Sequence, residues 1–166
     1  DEESLPKLYE KFILEYYRQH YPMLHATDKA IQWDIPADTD SSMIRLLPGM
    51  HSDITLRNNG LTLIIDAKFY KHSLSNYMDK QMLHSANLYQ IYTYVKNEDK
   101  SRNGNVSGLL LYARTTEETE PYLSVTIGGN LIEVCTLGLN RSFREISTAL
   151  DSIAKLHFGE RIHKIA

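Results

Sequence analysis

The chain has 166 residues, 42% hydrophobic and 23% charged, with a formal net charge of −3. Length and composition suit one folded domain with a sizeable core and exclude low-complexity and collagen-like classes. No apolar run reaches membrane-spanning length, no signal peptide is visible, and a single cysteine, Cys135, excludes an internal disulfide, so a soluble cytoplasmic protein is expected. The acidic balance argues for weak DNA binding by the domain alone. In chain order, Ser4 can cap a helix over residues 5–18 whose apolar stripe is Leu5, Leu8, Tyr9, Phe12, Ile13 and Tyr16. Residues 29–35 read as a strand closed by Pro36, and residues 43–47 as the start of another before Pro48-Gly49 bends the chain. Strands 50–57 and 61–70 flank Asn59-Gly60, a strong hairpin signal. Residues 71–79 are polar and read as a loop where DNA could be gripped, although Lys71, His72 and Lys80 read more readily as solvated charges than as phosphate contacts. A helix over 81–95 follows, then strands over 106–112, 122–127 and 131–137, the last two joined at Gly128-Gly129-Asn130. Asn140 can cap a final helix with the stripe Phe143, Ile146, Leu150, Ile153 and Leu156, stopped by Gly159. The order α-β-β-β-α-β, with extra C-terminal strands and a helix, predicts an α/β (α+β) domain with a mixed central sheet flanked by helices.

The chemistry concentrates in the hairpin. Leu61, Leu63, Ile64 and Ile65 form a nearly continuous apolar run, the mark of a strand buried on both faces. Asp66 and Lys68 then share one side of that strand with Ile64, while Leu63, Ile65, Ala67 and Phe69 take the other. Alone, this D-x-K reads more readily as a frayed strand end with solvated charges. With Asn59 and Gly60 as the two loop residues, however, Asn58 pairs with Leu61, Leu56 with Leu63, and Asp53 with Asp66. Two carboxylates about 5 Å apart at Cβ repel unless something positive lies between them. A divalent ion does that, and Lys68 stands one step along the same face. Asn87, Gln90 and Tyr94 share a face of the following helix at helical spacing. The seven histidines show no zinc spacing, and there is no glycine-rich phosphate loop or G-x-S-x-G elbow.

Asp53 followed by Asp66-Ala67-Lys68 resembles the PD-(D/E)xK nuclease signature. "LLPGMHSDITLR", "LIIDAKFYK" and "HSANLYQIYTYV" resemble the nuclease domain of McrC-type subunits of McrBC-type modification-dependent restriction systems. "LYEKFILEYY", "IQWD" and "GLLLY" extend the resemblance over most of residues 5–137. One departure is Ser52, which stands where the general signature has proline.

The resemblance implies a restriction-endonuclease-like core in a single nuclease domain over residues 1–166, the C-terminal part of a longer bacterial or archaeal chain. It implies a metal-dependent deoxyribonuclease acting in a 5-methylcytosine-specific restriction complex. Asp53, Asp66 and the Ala67 carbonyl would hold Mg²⁺, for which Mn²⁺ could substitute. Lys68 would act at the attacking water and the phosphate. Gln90 is brought toward the site, and Glu10 occupies the place of a further acidic residue, although its helical position leaves Glu15 as an alternative. The implied partners are double-stranded DNA, a McrB-like GTPase and, for double-strand cleavage, a second nuclease domain. Two other readings stay open: a non-catalytic assembly or DNA-holding module, and a stand-alone RecB-like nuclease.

Overall fold

Asn59 and Gly60 both adopt positive φ, 51° and 81°, the left-handed pair that a two-residue hairpin loop requires. They join β2 (Met50–Asn58) to β3 (Leu61–Lys68) in the register that the turn predicts, from Asn58↔Leu61 to Ile54↔Ile65. This hairpin lies inside a six-stranded sheet in a computed structural model that describes residues 4–69, 74–77, 80–114 and 121–166. The remaining strands are β1 (Thr27–Ile31), β6 (Val106–Arg114), β7 (Leu123–Ile127) and β8 (Asn130–Gly138). Their order is β1-β2-β3-β6-β8-β7. β3, β6 and β8 run parallel, while β1/β2, β2/β3 and β7/β8 are antiparallel. Two further strands, β4 (Leu74–Tyr77) and β5 (Lys80–Leu83), form a separate hairpin between β3 and α3 (Ser85–Glu98). The mixed sheet flanked by helices is the architecture expected from the sequence, consistent with a restriction-endonuclease-like fold.

Both faces of the sheet are covered, which is why β3 is apolar throughout its middle. On one face α1 (Leu5–His20) and α4 (Phe143–Phe158) pack against Leu56, Leu63, Ile65, Leu109 and Leu111. On the other, Ile91 and Val95 of α3 pack against Ile64, Leu110, Ile132 and Val134. α3 lies so close to β6 that a Cβ on Gly108 would come within 2.7 Å of both Ile91 Cγ1 and Val95 Cγ2. No helix among the described residues is long and apolar enough to cross a membrane.

Several local expectations are corrected. The first strand ends at Ile31, because the Asp34 amide is taken by the Asn97 side chain at 2.9 Å and the Trp33 indole by the Pro48 carbonyl at 2.8 Å. Residues 41–44 form a short helix, α2 (Ser41–Ile44), in place of the expected strand, because Asp40 caps it by accepting from the Ser42 amide at 2.8 Å. Residues 81–83 belong to β5, so α3 starts four residues later than its apolar pattern suggests and runs on to Glu98. The cap of α4 is Ser142, in a reciprocal capping box with Glu145, and not Asn140. Phe143 and Leu156, expected in its stripe, are exposed, as are Leu5 and Leu8 of α1, whose buried side is Tyr9, Ile13, Leu14, Tyr16 and Tyr17. Lys71, His72 and the side chain of Lys80 lie outside the described residues.

Candidate active site

Where β2 enters the sheet and β3 leaves it, the structure brings together Asp53, Asp66, Lys68 and Gln90. The β2–β3 ladder stops at Ile54↔Ile65, one residue short of the expected Asp53–Asp66 pair. The two carboxyls nevertheless meet. Asp53 Oδ2 accepts from the Ala67 amide at 2.9 Å, on the strand that carries Asp66. Burial pushes the Asp53 carboxyl up to about 8, helped by its hydrogen bond to Asp66 and by the charges of Asp66 and Glu10, against the opposing pull of the Ala67 amide.

Asp66 is 6% exposed. Its Oδ2 lies 3.0 Å from Lys68 Nζ, yet accepts no hydrogen bond, so this is a charge contact outside hydrogen-bond alignment. Lys68 Nζ donates to Gln90 Oε1 at 2.9 Å, and Gln90 Nε2 donates to the Tyr94 hydroxyl at 3.0 Å. One turn earlier on α3, Asn87 Nδ2 donates to the buried Tyr112 hydroxyl at 3.0 Å, and Tyr112 is the β6 residue in register with Lys68. A row of amides and phenols thus walls the α3 side of the site. Asn87, Gln90 and Tyr94 share a helix face by their spacing, whereas Tyr112, the β6 member of this row, has no signal of its own in the sequence.

Glu10 approaches from α1. Its carboxyl is raised by burial and then by the charge of Asp66, and lowered by Lys68 and Lys7, so it shares the electrostatic field of the site. Glu15, the alternative, is exposed and pairs with Arg18 at 2.9 Å. Glu10 is not a third ligand in place: no three His, Cys, Asp or Glu side chains among the described residues come together as a metal-holding group. A polar cleft of about 320 Å³ runs from Asp53 along α1, lined by Glu10, Lys7, Lys11 and His51 among others. A larger apolar cleft of about 520 Å³, lined by Leu5, Leu8, Phe12, Phe69 and Phe143, lies between α1 and α4. None of the grouped carboxyls lines it, so size does not mark the site here. Cys135 is held up at about 12 by burial and the charge of Glu133, which leaves an inert thiol and no cysteine nucleophile.

The model of the McrBC 5-methylcytosine restriction system component family matches residues 4–113. The chain belongs to that family. Glu10, Asp53, Asp66, Lys68 and Gln90 all fall within the McrBC match. The chain is also 34% identical over 143 residues to the Escherichia coli (strain K12) protein named "Type IV methyl-directed restriction enzyme EcoKMcrBC". That similarity covers 86% of this McrBC-family chain and 40% of the length of its relative.

Proposed function

We propose that this domain is the Mg²⁺-dependent DNA-cleaving part of an McrBC-type restriction complex, hydrolysing phosphodiester bonds in double-stranded DNA that carries 5-methylcytosine. The observation that carries the reading is the state of Asp66. It is an almost fully buried carboxylate beside a second carboxyl, with one oxygen that accepts no hydrogen bond. A buried anion of this kind is costly unless matched by positive charge, and Lys68 alone faces two carboxyls. The donor set fits a hard oxygen-seeking cation: Asp53, Asp66 and the Ala67 carbonyl would hold Mg²⁺. When bound, the ion supplies Lewis-acid polarisation of the phosphate and acidifies water.

The remaining steps belong to the side chains. Gln90 Oε1 holds Lys68 Nζ at the carboxyl pair, and Tyr94 keeps the Gln90 amide from turning. As an ammonium, Lys68 would donate to and orient the attacking water, whose proton leaves to bulk solvent or to the Glu10 carboxylate, and would offset the charge that gathers on the phosphorane-like transition state. Glu10, its carboxyl raised by burial and by the charge of Asp66, lines the polar cleft beside Asp53, where it can accept a hydrogen bond or a proton from water. A net charge of −3 leaves the domain few phosphate contacts, so a DNA-translocating McrB-like GTPase would deliver the substrate. A non-catalytic DNA-holding module would leave these carboxylates solvated, and the burial of Asp66 speaks against that.

The test is cleavage of methylated and unmethylated DNA in Mg²⁺, with and without the GTPase partner. Lys68→Met keeps the packing of the stem and loses the charge, so cleavage falls about 10³-fold or more. Wild-type rates in that variant would remove Lys68 from the mechanism.

A further inference from the structure

β2 changes faces without a loop. Met50 belongs to the core on the α3 side, whereas Ile54 and Leu56 belong to the core on the α1 side. Met50 and Ile54 are an even number of residues apart, and a regular strand would put both on one face. The ladder with β1 gives the cause. Thr27 pairs with Thr55 and Lys29 with Ser52, so Asp53 and Ile54 together oppose the single residue Asp28. This is a β-bulge, a device that bends a strand and re-aims the side chain it carries. On the β3 side the ladder ends at Ile54↔Ile65, and the next contact is made by a side chain, Asp53 Oδ2 accepting from the Ala67 amide at 2.9 Å.

Two hydroxyls bracket the bulge. Ser52 Oγ and Thr55 Oγ1 lie 2.7 Å apart, and each residue is 1% exposed. The Lys29 amide adds a long contact of 3.4 Å to Ser52 Oγ. Two apolar groups of the same shape would fill this space about as well, because a buried hydrogen-bonded pair adds little net stability over an apolar replacement. What an apolar pair cannot do is fix the separation of the two backbone points on either side of Asp53.

We infer that Ser52 and Thr55 are positioning residues for Asp53: their buried hydroxyl pair clasps the bulge and so sets the Asp53 carboxyl on the Ala67 amide beside Asp66. The functional weight of the clasp rests on the metal-site reading above, but its geometry can be tested without metal. The double variant Ser52→Ala/Thr55→Val removes both hydroxyls of the pair together, losing with them only the long Lys29 amide contact, and Thr55→Ser retains the clasp. Amide hydrogen exchange at Ala67 is measured in EDTA, with Leu63 and Ile65 of the same strand as references, and Mg²⁺ affinity is measured by calorimetry. In the double variant Ala67 exchange should accelerate about tenfold or more while Leu63 and Ile65 hold. Mg²⁺ binding should weaken about 10–100-fold, as for other groups that orient ligands, and Thr55→Ser should restore both readings. Should the double variant not fold, Ser52→Ala and Thr55→Val are read singly in the same way. Unchanged Ala67 exchange in a folded variant, or equal acceleration along the whole strand, overturns the clasp. A wild-type protein that binds no Mg²⁺ while Ala67 still loosens in the variant would sink the metal-site reading and uphold the clasp.

Discussion

Asp99 and Asp66 are both nearly sealed from water, at 4% and 6% exposure, and the fold treats them in opposite ways. Asp99 closes α3, and it accepts from the Gly104 amide at 3.0 Å, the Asn130 side chain at 2.9 Å and the Asn103 amide at 3.3 Å. Burial pushes its carboxyl up, but these donors and the charge of Lys96 outweigh it, so Asp99 sits below the ordinary carboxylate range. Asp66 has an oxygen that accepts nothing, and its neighbour Asp53 is driven the other way, up to about 8. A buried carboxylate whose donors all come from the chain belongs to the scaffold. A buried pair of carboxyls that hydrogen-bond each other, with one oxygen that accepts nothing from the chain, is the feature on which the proposed metal site rests.

The sharpest way to separate the two is to remove the satisfied one. Asp99→Ala strands the donors of Asn103, Gly104 and Asn130 and should cost about 3 kcal/mol. By the size scaling of melting temperatures that is roughly a 6–12 °C drop. Cleavage per folded molecule, assayed well below the melt, should not change. A drop of under about 2 °C would deny Asp99 its scaffold role.

Next in size is the effect of the ion. Mg²⁺ at about a hundredfold excess over its dissociation constant should stabilise the domain by roughly 2.7 kcal/mol. Thermal melts in EDTA and in Mg²⁺ should show this gain in wild type and in Asp99→Ala alike. Asp66→Asn should lose it, and an equal gain in that variant would place the ion elsewhere.

The smallest effect is the repulsion itself. Asp53→Asn keeps an acceptor for the Ala67 amide and removes one charge, so in EDTA at pH 8 it should be more stable than wild type by about 1 kcal/mol, roughly 2–4 °C. The sign follows from proton uptake. Folded Asp53 holds a proton up to about pH 8, whereas the unfolded residue gives it up near 4. Wild-type stability without metal therefore falls as pH rises between those values and then levels, a slope that Asp53→Asn should lack. Mg²⁺ affinity should run the other way, rising with pH across the same window as the shared proton becomes easier to displace. A flat wild-type profile would mean that the two carboxyls do not share a proton.

Much of this was legible in the sequence because local and global signals agree. Asn59-Gly60 fixes the hairpin register, and the unbroken run from Leu63 to Ile65 marks a strand covered on both sides, which the sheet order explains. Asp53, Asp66 and Lys68 could be grouped from the hairpin register, and Gln90 joined them only through the family resemblance; the structure brings the four together. The bulge was hidden because Met50, Ser52, Ile54 and Leu56 look like one alternating face, and periodicity does not reveal that β2 switches sides between Ser52 and Thr55. α2 was read as a strand because Met43 to Leu47 is apolar in composition, yet Met43 and Leu46 are exposed and the Asp40 cap decides the conformation. The choice between Glu10 and Glu15 was also out of reach, since only the placement of α1 on the sheet tells which one meets the field of Asp66.

Gly108 contributes no atom to the site, yet it sets the depth of one wall. With no Cβ between them, α3 rests directly on β6 through Ile91 and Val95, and Gln90 is the residue just before Ile91. A methyl group at position 108 would act as a shim under the middle of the helix and raise the Gln90 amide off Lys68, which stays on β3. The tolerance of the Lys68–Gln90 contact is thus machined into the sheet at a position without chemistry of its own, and a search restricted to polar side chains would pass over it.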